Sequence, residues 1–292
     1  MTTAFVLSGG GSLGAVQVGM LQALAEQQIT PDLLVGTSAG ALNAAFIAGY
    51  GLNPEGVGAL AEVWRRLHAR SLFSIDPRRA LSALAGRNNA LCTDRGLRDL
   101  LHRHLRFERL EDSPIPLQVV ATDLLTGQEV ALCEGDAQSA ILSSCAIPGV
   151  FPTIQHHEMT LVDGGLANNT AVSQAVMAGA DTVYVLSSGY ACALTHPPRT
   201  PLGTAIHALT LLTHQRLVAD VALYADQVNL IVLPPPCPLR VSPIDFGRAH
   251  ELIRAAHTHS LTWLAEDGGH RPHPELHIAL HVHRTTETLA DT

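Results

Sequence analysis

The chain has 292 residues, 47% hydrophobic and 15% charged, with a formal net charge of -8 at pH 7. That much apolar content supports one large domain or two small ones and excludes a disordered tail protein or a disulfide miniprotein. All 18 permanent positive charges are arginines, and no basic face or basic run is present to meet nucleic-acid phosphates or anionic lipid headgroups.

Thr3 to Leu7 is a short apolar run that predicts a strand, and it stops at Ser8-Gly9-Gly10-Gly11, where glycine-type backbone freedom is needed. Leu13 to Gln28 carries Val16, Met20 and Leu24 at helical spacing, with Gln17, Gln22 and Glu26 on other faces. Asp32 to Val35 predicts the second strand, Gly36-Thr37-Ser38-Ala39-Gly40 a turn, and Leu42 to Tyr50 a fully buried helix. Strands joined by helical crossovers imply a parallel sheet covered on both faces. Further helices are predicted over Pro54 to Ala69, Asp94 to Leu105 with Asp94 as its cap, and Asp136 to Cys145 stopping before Pro148. Ser173 to Ala178, Pro201 to Ala225 and Phe246 to Asp267 complete the helices. Strands are predicted over Leu117 to Thr122, Glu129 to Cys133, Thr160 to Val162, Thr182 to Leu186 and Gln227 to Leu233. The less regular stretch Asp76 to Asn89 reads as a lid or rim. Beyond Gly268, His270, His273, His277, His281 and His283 occur with little core pattern.

Cys92, Cys133, Cys145, Cys192 and Cys237 are odd in number, widely spaced and form no C-x-x-C pair, so each is expected to be a free thiol and a small buried hydrophobe. Met1 to Ala25 lacks the basic start of a signal peptide. Leu33 to Asn53 is uncharged but broken by Gly36, Ser38, Gly40, Asn43, Gly49 and Gly51, which suits a strand and helix better than a membrane span. A cytoplasmic location is expected.

Three motifs carry chemistry. Gly36-x-Ser38-x-Gly40 lies between a strand and a helix, the setting in which a strained turn exposes a nucleophilic serine. Gly9-Gly10-Gly11-Ser12-Leu13-Gly14 fits a dinucleotide fingerprint, but the second strand ends in Gly36-Thr37-Ser38, without the acid a ribose requires. Its N–H groups suit an oxyanion hole instead. Asp163-Gly164-Gly165 follows a short strand and aims one carboxylate from its end.

At these motifs the chain resembles the patatin-like phospholipase family. The resemblance extends to Val120-Ala121-Thr122-Asp123-Leu124 with Thr126-Gly127, and to Ser143-Ser144-Cys145-Ala146-Ile147-Pro148-Gly149-Val150-Phe151-Pro152. It covers about the first two-thirds of the chain and fades past Val185. It implies a three-layer α/β/α fold with a mainly parallel central sheet. The expected organisation is a catalytic domain over 1–268 and a flexible His-rich tail over 269–292. The resemblance also implies Ser38 as nucleophile, Asp163 as base, an oxyanion hole at Gly9, Gly10 and Gly11, and Gly36 and Gly40 as the elbow glycines. It implies a fatty-acyl ester substrate such as a phospholipid or lysophospholipid, with no metal or cofactor needed. Transient contact with a membrane surface is expected, and the charge balance leaves no nucleic-acid partner expected. Two departures stand out. Leu13 replaces the family's usual basic residue, which removes any anion contact from that side chain. Asn168-Asn169-Thr170-Ala171 replaces a proline-containing run, and only a local backbone difference is expected from it.

Other readings compete. A Ser-His-Asp esterase would recruit His156, His157, His207 or His214, and acyl transfer would use the same serine with an alcohol or thioester acceptor. A non-catalytic lipid-binding protein would keep only the fold. The pairs His277/His281 and His281/His283 have ligand-like spacing, against which stands a solvated tail. Leu72, Phe73 and Ile75 suit either a mobile apolar rim or core packing.

Overall fold

The computed structural model describes residues 1–75, 82, 86–189, 194, 196–239 and 241–281. Most of the expected lid (76–81 and 83–85), the Ile75 side chain, Cys192 and His283 lie outside the described residues.

The chain opens with β1 (Thr3–Leu7), α1 (Gly14–Glu26), β2 (Leu33–Thr37), α2 (Ala39–Tyr50) and α3 (Pro54–Arg66). A small hairpin, β3 (Ser74–Ile75) with β4 (Cys92–Thr93), and a helix Arg95–His104 follow. Then come β5 (Leu117–Asp123), β6 (Glu129–Leu132), a helix Ala137–Ser144, β7 (Ile154–His156) and β8 (Met159–Asp163). The last third holds β9 (Thr182–Leu186), the long helix Pro201–Tyr224, β10 (Asn229–Leu233) and the helix Ala249–Ala265.

One eight-stranded sheet runs in the order β10-β9-β1-β2-β5-β8-β7, with β6 also paired to β5. It is mixed rather than mainly parallel. From β10 to β5 the pairs are parallel, whereas β5 with β6, β5 with β8, and β8 with β7 are antiparallel. The local cause is connection length: β5–β6 and β7–β8 are joined by short turns, which only antiparallel neighbours accept, while the parallel strands are linked by helices.

Strand alternation divides the core between two helical layers. Phe5, Leu7, Leu34, Tyr184, Leu186, Ile231 and Leu233 face a layer built on α1, α2, α3 and Ala249–Ala265. Ala4, Val6, Leu33, Val35, Val183, Val185, Leu230 and Val232 face the other, with Val172, Ala175, Leu217 and Val221. In the first layer α1 crosses Ala249–Ala265 so closely that a Cβ on Gly19 would collide with the Ile253 carbonyl. The three-layer α/β/α arrangement is therefore present.

Several local expectations are revised. Asp94 occupies the N-cap position of Arg95–His104 without a capping bond, because its carboxylate accepts a hydrogen bond from Arg98 Nε at 2.7 Å instead. Leu72 is buried, and Phe73 stacks on Phe151 with ring centroids 5.3 Å apart, so both belong to the core rather than to a rim. Cys92 and Cys145 are buried, but Cys133 is exposed and Cys237 is only partly covered, with its Sγ 2.9 Å from His281 Nε2. In the His-rich stretch, Pro274–His277 forms a short helix, and Pro274 and Ile278 are buried. Among the described residues no helix is long and apolar enough to cross a membrane. No three of the described His, Cys, Asp or Glu residues come together as a metal-binding group.

Candidate active site

The register of the sheet brings Ser38 to Asp163. β6 pairs with β5 over Val119–Thr122, so it occupies one edge of that strand. β2 pairs with Leu117–Val120 and β8 with Ala121–Asp123, so both must share the opposite edge. They meet end to end, Thr37 opposite Val120 and Asp163 opposite Ala121. Two residues 125 positions apart are thereby joined: Ser38 Oγ donates to Asp163 Oδ2 at 2.7 Å. Both are 7% exposed.

β2 continues to Thr37 and α2 begins at Ala39, so the whole reversal falls on Ser38, at φ 53° and ψ -121°. A non-glycine residue in that conformation is strained and persists only where its surroundings enforce it. Ser144 Oγ does so, accepting the Ser38 N–H at 2.7 Å and donating to the Val120 carbonyl at 2.5 Å. Gly36 and Gly40 are dictated by contact: a Cβ on Gly36 would stand 2.6 Å from Ala41 Cα, and one on Gly40 would collide with the Leu7 carbonyl.

Asp163 is held from both sides, its Oδ1 accepting the Gly165 N–H at 2.8 Å. Burial raises its pKa to about 6, and the bonds from Ser38 and Gly165 oppose that rise. No imidazole bonds to Ser38 or Asp163 among the described residues. His156 and His157 lie at the β7–β8 turn, their rings 4.5 Å apart, and His214 is buried in the long helix.

The glycine loop lies against the elbow. A Cβ on Gly9 would stand 3.2 Å from Ser38 Cβ. The expected oxyanion donors divide, however. Gly9 N–H is spent on the Asn169 carbonyl at 3.0 Å, which removes it as a donor to substrate. Among the described residues the Gly10 and Gly11 N–H groups have no backbone acceptor. The Gly9 carbonyl is fixed by Ser188 Oγ at 2.7 Å and Asn169 Nδ2 at 3.2 Å. The Asn168-Asn169 departure thus does more than alter a local turn, since Asn169 clamps the loop. Leu13 is fully buried and offers no polar contact.

Sequence reasoning missed the support beneath this loop. Gln17, placed off the apolar face of α1, is completely buried, and its Nε2 donates to the Ser8 carbonyl at 2.7 Å and the Leu186 carbonyl at 3.0 Å. Asn43 Nδ2 donates to Gln17 Oε1 at 2.8 Å, and Trp64 Nε1 donates to Asn43 Oδ1 at 2.7 Å. A buried polar chain with every member paired gives rigidity, and deleting one member leaves orphaned partners. Gln17→Leu is expected to lower unfolding free energy by about 2–3 kcal/mol, measured by denaturant titration. An unchanged midpoint would show that the chain does not brace the loop.

Residues 5–176 match the patatin-like phospholipase family model. The chain belongs to the patatin-like phospholipase family. An NTE family protein of Mycobacterium tuberculosis is 32% identical over 164 residues, covering 56% of this chain and 26% of that protein. Lysophospholipase NTE1 of Pyricularia oryzae is 23% identical and matches 89% of this chain and 18% of its own length. Patatin-like phospholipase domain-containing protein 7 of Mus musculus is 24% identical, with 89% and 20% covered. The chain therefore spans about a quarter or less of the length of these relatives.

Proposed function

We propose that this patatin-like chain hydrolyses fatty-acyl esters of phospholipids or lysophospholipids through an acyl-serine intermediate. The observation that carries the reading is the buried 2.7 Å bond from Ser38 Oγ to Asp163 Oδ2. Proton transfer accompanies attack, because a carboxylate is too weak a base to ionise a hydroxyl beforehand. As the Ser38 Oγ–H bond breaks, its proton passes to Asp163 Oδ2, and Oγ forms a bond to the ester carbon. The carbonyl electron pair moves onto oxygen, facing the Gly10 and Gly11 N–H groups. Collapse expels the alcohol, which leaves with the proton from Asp163. A water then gives its proton to Asp163, attacks the acyl carbon and releases the fatty acid, and that proton returns to Ser38 Oγ. Desolvation supports Asp163 as the base, since its raised pKa brings it nearer to neutral pH. Transient contact with a lipid surface belongs to this reading, supported by the exposed Leu209 and Leu212 on the long helix.

The test is hydrolysis of a panel of phospholipids, lysophospholipids and p-nitrophenyl esters, with fatty-acid release followed and Ser38→Ala as control. His156→Ala, His157→Ala and His207→Ala are expected to keep parent rates within about twofold. Loss at any one of them comparable to that of Ser38→Ala would replace the two-residue mechanism with a triad.

A further inference from the structure

Four consecutive N–H groups of the glycine loop are used unequally. The outer two hold the loop in place: Gly9 N–H donates to the Asn169 carbonyl at 3.0 Å, and Ser12 N–H donates to the Pro243 carbonyl at 2.8 Å. The inner two, on Gly10 and Gly11, have no backbone acceptor among the described residues. The Gly10 carbonyl accepts the Leu13 N–H at 3.1 Å and Gly11 sits at φ 58°, so the pair forms a tight turn strung between two anchors. The Asn169 anchor falls within residues 5–176, the part matched by the family model, whereas the Pro243 anchor falls outside it.

That second anchor is doubled by a side chain. Ser12 is 2% exposed, and its Oγ donates to the Ser242 carbonyl at 2.9 Å. The residue directly after Gly11 is therefore tied through both its backbone and its hydroxyl. The acceptors sit on a rigid turn between β10 and the helix Ala249–Ala265. Asp245 N–H returns to the Ser242 carbonyl at 2.9 Å, with Pro243 fixing the second position of the turn. Asp245 Oδ1 accepts the Gly247 N–H at 3.0 Å. Phe246 is buried, stacked on Trp64 with ring centroids 6.3 Å apart and edge-on to Phe73 at 6.0 Å. The turn also presses on the loop, since a Cβ on Gly11 would stand 2.5 Å from the Pro243 oxygen.

We propose that Ser12 is a positioning residue for the oxyanion: its hydroxyl locks the glycine loop to the Ser242–Asp245 turn and so aims the Gly10 and Gly11 N–H groups at the developing charge. This rests on the acyl-ester reading of Ser38 and Asp163. Donors stabilise a transition state most when they are fixed before the charge appears, so loosening their anchor slows the chemical step and leaves ground-state binding alone.

Inhibitor binding separates aim from support of the fold. An alkyl trifluoromethyl ketone takes Ser38 Oγ at its carbonyl carbon, the Ser38 proton passes to Asp163, and the carbonyl electron pair becomes an oxyanion facing Gly10 and Gly11. The matching trifluoromethyl alcohol binds by its chain and forms no such bond. Inhibition constants for both are measured on the parent and on Ser12→Ala, beside kcat and KM for a p-nitrophenyl ester. These constants do not depend on the fraction of protein that is folded. In Ser12→Ala, kcat is expected to fall about tenfold with KM within twofold, and the ketone to bind about tenfold more weakly with the alcohol unchanged. Unchanged ketone affinity, or equal weakening of ketone and alcohol, overturns the proposal while leaving the Ser38 mechanism standing. A parent protein that neither hydrolyses esters nor binds the ketone overturns the Ser38 mechanism, and this proposal with it.

Discussion

Ser38→Ala is expected to reduce acyl-ester hydrolysis by about 10⁴-fold or more, the scale at which removing a nucleophile leaves only residual catalysis. The fold should persist. Ser38 Oγ caps no helix N–H, and its bond to Asp163 is its side-chain tie. The backbone tie through Ser144 uses the Ser38 N–H, which alanine keeps. Alanine also pays the same steric penalty at φ 53° as serine. Ser38→Gly relieves that strain, so it should be equally inactive yet melt higher than Ser38→Ala. Initial rates on a p-nitrophenyl ester with parallel thermal melts check both statements. Hydrolysis by Ser38→Ala within tenfold of the parent would remove Ser38 from the chemistry.

Asp163→Asn is expected to cost about 10³-fold in rate, within the usual range for a lost general base. An asparagine keeping its Oδ1 on the Gly165 N–H turns its Nδ2 protons towards Ser38 Oγ, so it cannot accept the serine proton. In the parent, kcat/KM should rise with pH through about 6 and then level off, as Asp163 ionises. Stability should move the other way. The folded pKa of about 6 lies above the 3.8 of an ordinary aspartate, so the fold favours the neutral carboxyl. That contribution is complete below the unfolded value and is lost as pH rises through the folded one. At neutral pH the ionised carboxylate therefore costs on the order of 3 kcal/mol. Asp163→Asn, always neutral, should melt above the parent in mildly alkaline buffer, and the gap should close as the pH falls through about 6 towards 3.8. A gap independent of pH would show that Asp163 is not destabilised by its own charge.

What was readable in the sequence was local. Thr3–Leu7 and Thr182–Leu186 match their predicted bounds, because short β-branched and apolar runs ending at glycine or serine leave few alternatives. Ser38 and Asp163 were each marked by their own glycines, but their distance depends on two strands sharing one edge of β5, which no local pattern encodes. The β2–α2 boundary shifted because tertiary contacts carry both elements right up to Ser38, where composition suggested a five-residue turn. Gln17 looked like a surface residue by type, and only packing of α1 beneath the glycine loop shows that it is buried and fully bonded. Gly9 and Gly11 look alike in sequence, yet the carbonyl of Asn169, 160 positions on, removes one N–H from use. β7 was missed because three residues are too few to display an alternating pattern.

The most direct test is covalent. The protein is incubated with a fluorophosphonate probe, digested, and the adduct located by peptide mass spectrometry. A single adduct on Ser38 is expected, formed about 10³-fold more slowly in Asp163→Asn and absent from Ser38→Ala. An adduct on another residue, or unmodified Ser38 in a preparation that hydrolyses esters, would contradict it.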